Sequence, residues 1–269
     1  RDEIGELSGS LREMTRAIYH PIEDIESFAA DVSHELKNPL TSIRSAAETM
    51  DLAKTPEQKA KLMKVIQQDV SRMDRLITDI SNASRLDAEL AREIREPIIL
   101  VKLLKDVVDL YAATGNKRHV RVILHIAQSL PELFVLGSPT SLGQVFRNLI
   151  DNAISFSPEN GEVRLYITAE RRTERDYLFH IRIDDEGPGI PPDNLESIFN
   201  RFYTERPTGA DFGNNSGLGL AISRQITESH AGQIWAQNRS TVKGESNPAS
   251  AVAGASFHVR LPAKRPRTI

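Results

Sequence analysis

Between Ile4 and Met50 the apolar positions fall at intervals of three or four: Leu7, Leu11, Met14, Ile18, Ile22, Ile25, Ala29, Val32, Leu36, Leu40, Ile43, Ala47 and Met50. That spacing is one face of an α-helix, sustained over about seven heptads. The turn Thr55-Pro56-Glu57 interrupts it, with Thr55 as N-cap and Pro56 at the first position of a new helix, where the missing N–H is harmless. A second seam then runs through Leu62, Val65, Val70, Met73, Leu76 or Ile77, Ile80, Ala83, and Leu86 or Leu90. Two amphipathic helices joined by a short turn predict an antiparallel hairpin. A lone hairpin buries little surface, so dimerisation into a four-helix bundle is the expected way to cover both stripes.

Around Glu96-Pro97 the pattern changes. Short β-like runs at Ile98–Leu100, Val120–Ile126, Leu133–Leu136, Val163–Ala169, Leu178–Asp184, Gln233–Gln237 and Ser256–Leu261 alternate with helical stretches at Val101–Ala113, Pro139–Phe156 and Leu218–His230. This mixture predicts a separate α/β or α+β domain. Two segments lack any period: Thr204–Ser216 reads as a mobile lid and Ser240–Ala253 as a long hairpin loop.

Composition narrows the chemistry. With 269 residues the chain is long enough for two modest domains, and its net charge of −3 provides no footprint for nucleic acid. The absence of cysteine excludes disulfides, thiol catalysis and Cys-ligated metals. No apolar stretch reaches the roughly 18 residues of a membrane span. The chain begins without methionine and inside a helical pattern, which predicts a soluble portion of something longer.

The first chemical constellation lies within the first seam, in "DVSHELKNPL". At about 100° per residue His34 is turned away from the Val32/Leu36 edge and should face solvent. A surface histidine with a charged neighbour is the plain alternative. Pro39 argues against it, because proline inside a helix removes the hydrogen bond to the Glu35 carbonyl at a cost of about 3 kcal/mol, a strain kept mainly where bending is useful. A neutral imidazole has one nitrogen free as a nucleophile, and the adjacent Glu35 can accept the proton of the other. Asn38, one turn on, can orient a water.

The matching electrophile is foreshadowed by four stretches further on. In "QVFRNLIDNAISFS" Asn148 and Asn152 sit at i and i+4, so two amide oxygens face one way and can bind phosphate-bridged Mg²⁺. In "DDEGPGIP" Gly187 and Gly189 let backbone approach a ligand while Asp185 can accept from an exocyclic amine. "IFNRFY" sets Phe199, Phe202 and Tyr203 before the loose segment, with Arg201 available to a phosphate; core packing accounts for the aromatics equally well. "NNSGLGLAIS" carries Gly217, Leu218 and Gly219 into a helix N-terminus, a setting suited to phosphates, without the Walker ending Gly-Lys-Ser/Thr.

Taken in order, these stretches resemble the cytoplasmic core of a bacterial sensor histidine kinase. "SHELKNPL" is similar to the family's H box, "NLIDNAISFS" to the N box, "DEGPGI" to the first glycine box, "IFNRFY" to the F box, "SGLGLAI" to the second glycine box, and "SFHVRLP" to the last strand. The opening "RDEIGELSGSLREMT" resembles the end of a HAMP linker, and "FAADVSHELKNPLTSIRSA" with "NNSGLGLAIS" is similar to the ChvG-type branch of envelope sensors. The resemblance implies three parts: a HAMP-like end and signalling helix over 1–20, a dimerisation and histidine phosphotransfer domain over 21–95 forming a four-helix bundle in the dimer, and an α/β sandwich ATP-binding domain over 96–269. It implies a homodimer, a response-regulator partner, ATP and Mg²⁺ as cofactors, and the cytoplasmic side of an inner membrane, reached only through segments N-terminal to this chain. His34 would be the phosphoacceptor, Glu35 its acid/base partner and Asn38 the residue serving dephosphorylation. Asn152 would bind Mg²⁺, Asn148 the phosphate side and Asp185 adenine, with Phe156 as a stacking face.

Three positions depart from the family's pattern: Ser155 replaces a common phosphate-contacting lysine, Phe156 a frequent tyrosine, and Asn215 the first glycine of the second glycine box. Arg201 or Arg206 would then supply the charge that Ser155 lacks, and asparagine tolerates left-handed backbone. Two rivals remain at this level: a related ATPase that does conformational work without phosphotransfer, and a nucleotide-sensing dimer scaffold.

Overall fold

The computed structural model describes residues 28–116, 118–128, 130–203, 217–240 and 252–266. The expected HAMP-like end, Pro21, which is expected to kink or interrupt the helix between that end and the bundle seam, and the segments at Thr204–Ser216 and 241–251 lie outside them. The chain divides into two compact units, with the boundary along the sequence after Ile80.

The first unit holds the predicted hairpin as far as Ile80, and the last turns of its second helix count with the second unit. Helix α1 covers residues 28–50 and α2 Pro56–Arg92. The turn between them is a reciprocal cap: the Gln58 N–H donates to Thr55 Oγ1 at 3.2 Å, while Gln58 Oε1 accepts from the N–H groups of Lys54 and Thr55. A threonine cap with glutamine three residues on satisfies donors that a helix start leaves open. Helix α1 continues without interruption through Pro39, which is buried. Ala46, Leu76 and Leu86 are buried too, settling the second seam on Leu76 and Leu86. Leu40, assigned to the seam from its spacing, is instead 57% exposed, and Met63, Val70 and Ile77 are 44%, 53% and 56% exposed. The last three repeat every seven residues, so α2 carries one apolar edge that is buried and a second that the single chain leaves uncovered.

The second unit holds a five-stranded sheet in the order β2-β4-β5-β7-β6, with β2 (Arg121–Ile126), β4 (Glu162–Arg171), β5 (Asp176–Asp184), β6 (Gln233–Ser240) and β7 (Val252–Lys264). Only β2 and β4 pair in parallel. A two-stranded ribbon joins β1 (Glu96–Ile98) to β3 (Val135–Gly137). Leu100, predicted to end the first strand, opens helix α3 (Leu100–Thr114). Helices α4 (Pro139–Phe156) and α5 (Gly219–Ser229) complete the layer.

Period-two alternation decides which sheet face is buried. Val163, Leu165 and Ile167, Phe179, Ile181 and Ile183, and Phe257, Val259 and Leu261 form the core with Leu104, Phe146, Leu149, Ile150 and Ile226 of the helices. The other face bears Tyr166 stacked with His125, and His180, Trp235 and His258 stacked with one another. This is the expected α/β sandwich. Among the described residues no helix is long and apolar enough to cross a membrane.

Candidate functional site

In the hairpin His34 is exposed, as its angular position requires, and it forms no hydrogen bond or ion pair among the described residues. Asn38 is exposed one turn further on. Glu35 is half-buried and does not pair with its neighbour: its Oε2 accepts from Arg72 NH2 of α2 at 3.1 Å. Sequence reasoning missed Arg72, since a pair spanning 37 positions leaves no local signal.

In the second unit the predicted motifs converge on α4 and the ends of the sheet. Ser138 caps α4, its side chain accepting from Ser141 N, and Pro139 follows in the first turn. Val145, Phe146, Leu149, Ile150 and Ala153 bury one face of α4. Asn148 and Asn152 therefore come out together at its edge. Asn148 Nδ2 donates to the Gly219 carbonyl at 3.0 Å and lies 3.4 Å from Ser223 Oγ, joining the N box to the first turn of α5. Asn152 is half-buried, and its side-chain amide has no hydrogen-bond partner among the described residues. An uncommitted neutral amide at this edge suits an oxygen-seeking Mg²⁺ held chiefly by phosphates.

Asp185 follows β5 and is 2% exposed. Its Oδ1 accepts from Gly187 N at 2.9 Å and Ala255 N at 2.8 Å, so both backbone donors converge on one carboxylate oxygen. Burial pushes this carboxyl above the ordinary carboxylate range, against the pull of those two hydrogen bonds. A Cβ on Gly187 would stand 3.0 Å from the Phe156 carbonyl and 3.1 Å from Asp185 Oδ1, so Phe156, Asp185 and Gly187 form one wall. Gly189 and Gly217 take φ values of +80° and +76°, which glycine adopts without strain. Gly219 is less constrained: a Cβ there would make only ordinary contacts with Asn148. Leu218 is fully buried at the N-cap of α5.

The F box is divided. Phe199 and Phe202 are buried as core, Phe202 with a left-handed φ of +60°, while Tyr203 is half-buried and Arg201 exposed. Asn215 and Arg206 lie outside the described residues. Ser155 turns back on its own helix, its Oγ donating to the Asn152 carbonyl at 2.9 Å. The cation at that end of α4 is Arg118, whose NH1 donates to the carbonyls of Ser155 and Ser157 at 2.7 and 2.8 Å, a favourable place for positive charge.

Three supports were not visible in the sequence pattern. Asn238 of β6 holds both backbone groups of Ile190, at 2.7 and 2.6 Å, and so fixes the first glycine loop. Arg239 NH1 donates to the Asp185 carbonyl at 2.5 Å. Gly254, with φ +131°, passes so close to Asp185 that a Cβ would stand 2.1 Å from its carbonyl oxygen.

Two family models match the chain in this order: the His Kinase A (phospho-acceptor) domain over residues 24–89, and the histidine kinase-, DNA gyrase B- and HSP90-like ATPase over residues 137–265. Sensor protein ChvG of Rhizobium meliloti (strain 1021) is 49% identical over 268 residues, covering 98% of this chain and 44% of its own length. The chain thus spans less than half of that relative. The adaptive-response sensory kinase SasA of Crocosphaera subtropica is 32% identical, covering 96% of this chain and 67% of its own length. The crystal structure of histidine kinase ThkA in complex with response regulator protein TrrA shares the fold, with a TM-score of 0.60 at 24% identity over 90% of this chain and 63% of that one. With both domain models in sequence and relatives aligned along nearly its whole length, the chain belongs to the sensor histidine kinase family, on the branch of the ChvG kinases.

Proposed function

We propose that this chain is a kinase core that uses ATP to phosphorylate its own His34 and then passes the phosphoryl group to an aspartate of a response regulator. The observation that carries the reading is a pair of uncommitted groups: an exposed imidazole without a partner among the described residues in one unit, and in the other a pocket wall whose buried Asp185 spends one oxygen on backbone donors. Residues 21–95 form the dimerising phosphoacceptor domain and 96–269 the ATP-binding domain. The uncovered heptad edge of Met63, Val70 and Ile77 supports a homodimer through the bundle.

In the reaction one ring nitrogen of His34 bonds to the γ-phosphorus, the bond from phosphorus to the bridging oxygen breaks, ADP leaves, and the proton on the other ring nitrogen passes to Glu35. Asp185 takes the adenine amine, Asn148 lies on the phosphate side, and Phe156, Gly187, Gly189, Gly217, Leu218 and Gly219 shape the pocket, with Arg201 and Tyr203 at its far margin. Asn152 would hold Mg²⁺, which supplies charge neutralisation on the phosphates. Positioning and electrostatics are the main sources of rate in such a transfer. Asn38 orients water for removal of phosphate from the regulator.

The test is labelling with γ-³²P ATP. Wild type should gain acid-labile, base-stable label and His34→Ala none, at unchanged ATP affinity. Label persisting at an acid-stable residue would overturn the assignment, and ATP turnover without any label would favour a conformational ATPase.

A further inference from the structure

The acid/base role proposed for Glu35 requires its carboxylate to reach the proton-bearing nitrogen of His34, yet in the hairpin that carboxylate is engaged elsewhere. Glu35 Oε2 and Arg72 NH2 lie 3.1 Å apart, and the two side chains are only 18% and 22% exposed. Attraction between partly shielded charges is screened less than on an open surface. His34, one residue earlier, is exposed and forms no hydrogen bond or ion pair among the described residues. Successive helix positions diverge by about 100°, so a carboxylate committed to α2 is turned off the edge that presents the imidazole.

A second feature acts on the same residue. Pro39 cannot donate to the Glu35 carbonyl, so the turn carrying Glu35 lacks one backbone hydrogen bond. The side-chain pair across to α2 is therefore a tie that this turn would otherwise lack. It is also adjustable, because Glu35 has three rotatable side-chain bonds and a slight rotation or slide of α1 against α2 lengthens a 3.1 Å contact.

We propose that Arg72 is a positioning residue that clamps Glu35 away from His34, and that exchange of the Glu35 carboxylate from the Arg72 guanidinium to the His34 ring arms the histidine. This rests on the acid/base reading of Glu35. Relative movement of α1 and α2 then controls the chemistry through one ion pair, without altering the nucleotide pocket.

The test is single-turnover labelling of the whole chain at saturating Mg-ATP. Arg72→Gln should label about fivefold faster, the order expected for loss of one partly shielded ion pair. Its ATP affinity, and its transfer rate from phosphorylated His34 to a receiver domain, should equal those of wild type. Arg72→Lys, which retains the charge, should stay near the wild-type rate. In a Glu35→Gln background Arg72→Gln should add nothing. A rate equal to or below wild type, with dimer and melting temperature intact, would overturn the clamp, as would an acceleration that persists without the Glu35 carboxylate. Should Arg72→Gln fold poorly, Arg72→Met keeps the aliphatic stem and serves the same comparison. Glu35→Gln labelling at the wild-type rate would instead remove the acid/base reading itself, a result distinct from failure of the clamp alone.

Discussion

On the proposed function, Asp185 trades stability for recognition of the nucleotide. Its carboxylate is almost wholly removed from water, and burial holds its pKa above the ordinary carboxylate range. A folded-state value above the unfolded one means that ionisation opposes folding: the penalty is absent below the unfolded value and is complete once pH exceeds the folded one. Asp185→Asn keeps an oxygen for the Gly187 and Ala255 N–H groups and removes the buried charge. The nucleotide-free variant should melt ~1–3 °C above wild type at pH 7, converge with it in strong acid, and lose ATP affinity. Melting curves at the two pH values check this, and a lower midpoint at pH 7 would contradict it. The motif glycines and this aspartate were readable because they lie together in a short stretch that alternation and turn chemistry single out. Gly254 and Asn238 were not, because each acts on backbone brought to it by strand pairing: Gly254 through its close approach to Asp185, Asn238 through the two groups of Ile190.

At the level of the elements, period and capping located nearly every helix and strand, whereas faces were harder to assign. Spacing placed Leu40 in the α1 seam, but Pro39 is the position that buries, and α2 has two apolar edges that a single periodic count merges. Alternation in β5 and β7 likewise predicts one buried face and says nothing of how the other is organised. There His180 Nε2 and His258 Nδ1 share a hydrogen bond of 2.9 Å, and both rings stack with Trp235. Burial, the largest influence, brings His258 down to about 4; His180, Arg182 and Arg260 oppose further positive charge there, and Asp184 favours it. A histidine held neutral in the fold binds protons more readily when unfolded. Stability should therefore fall as pH drops from about 6.5 towards 4, the interval between the two states' values. His258→Gln should show a flatter pH dependence across that interval, whatever its absolute midpoint. Thermal melts at half-unit steps measure it; a slope as steep as wild type would assign the acid sensitivity to other groups.

For the whole molecule, the proposed function divides the labour between a hairpin that would supply the nucleophile and a sandwich that would hold the nucleotide. Each half completes its own support: Glu35 and Arg72 are tied within the hairpin, and Asn148 is tied to Gly219 within the sandwich. Defects should accordingly separate. The side-chain amide of Asn152 has no hydrogen bond to lose among the described residues, so Asn152→Ala should leave the fold and the proposed bundle dimer unchanged. It should weaken Mg-ATP binding roughly 10- to 100-fold, the scale of one lost contact to a charged group. His34→Ala should do the reverse, binding Mg-ATP like wild type and taking no label. Calorimetry with a non-hydrolysable ATP analogue, run with and without Mg²⁺ beside sedimentation of the same samples, distinguishes these outcomes. Equal affinity of Asn152→Ala and wild type in the presence of Mg²⁺ would move the metal to other residues. Loss of the dimer in that variant would mean that the two halves do not carry their supports independently.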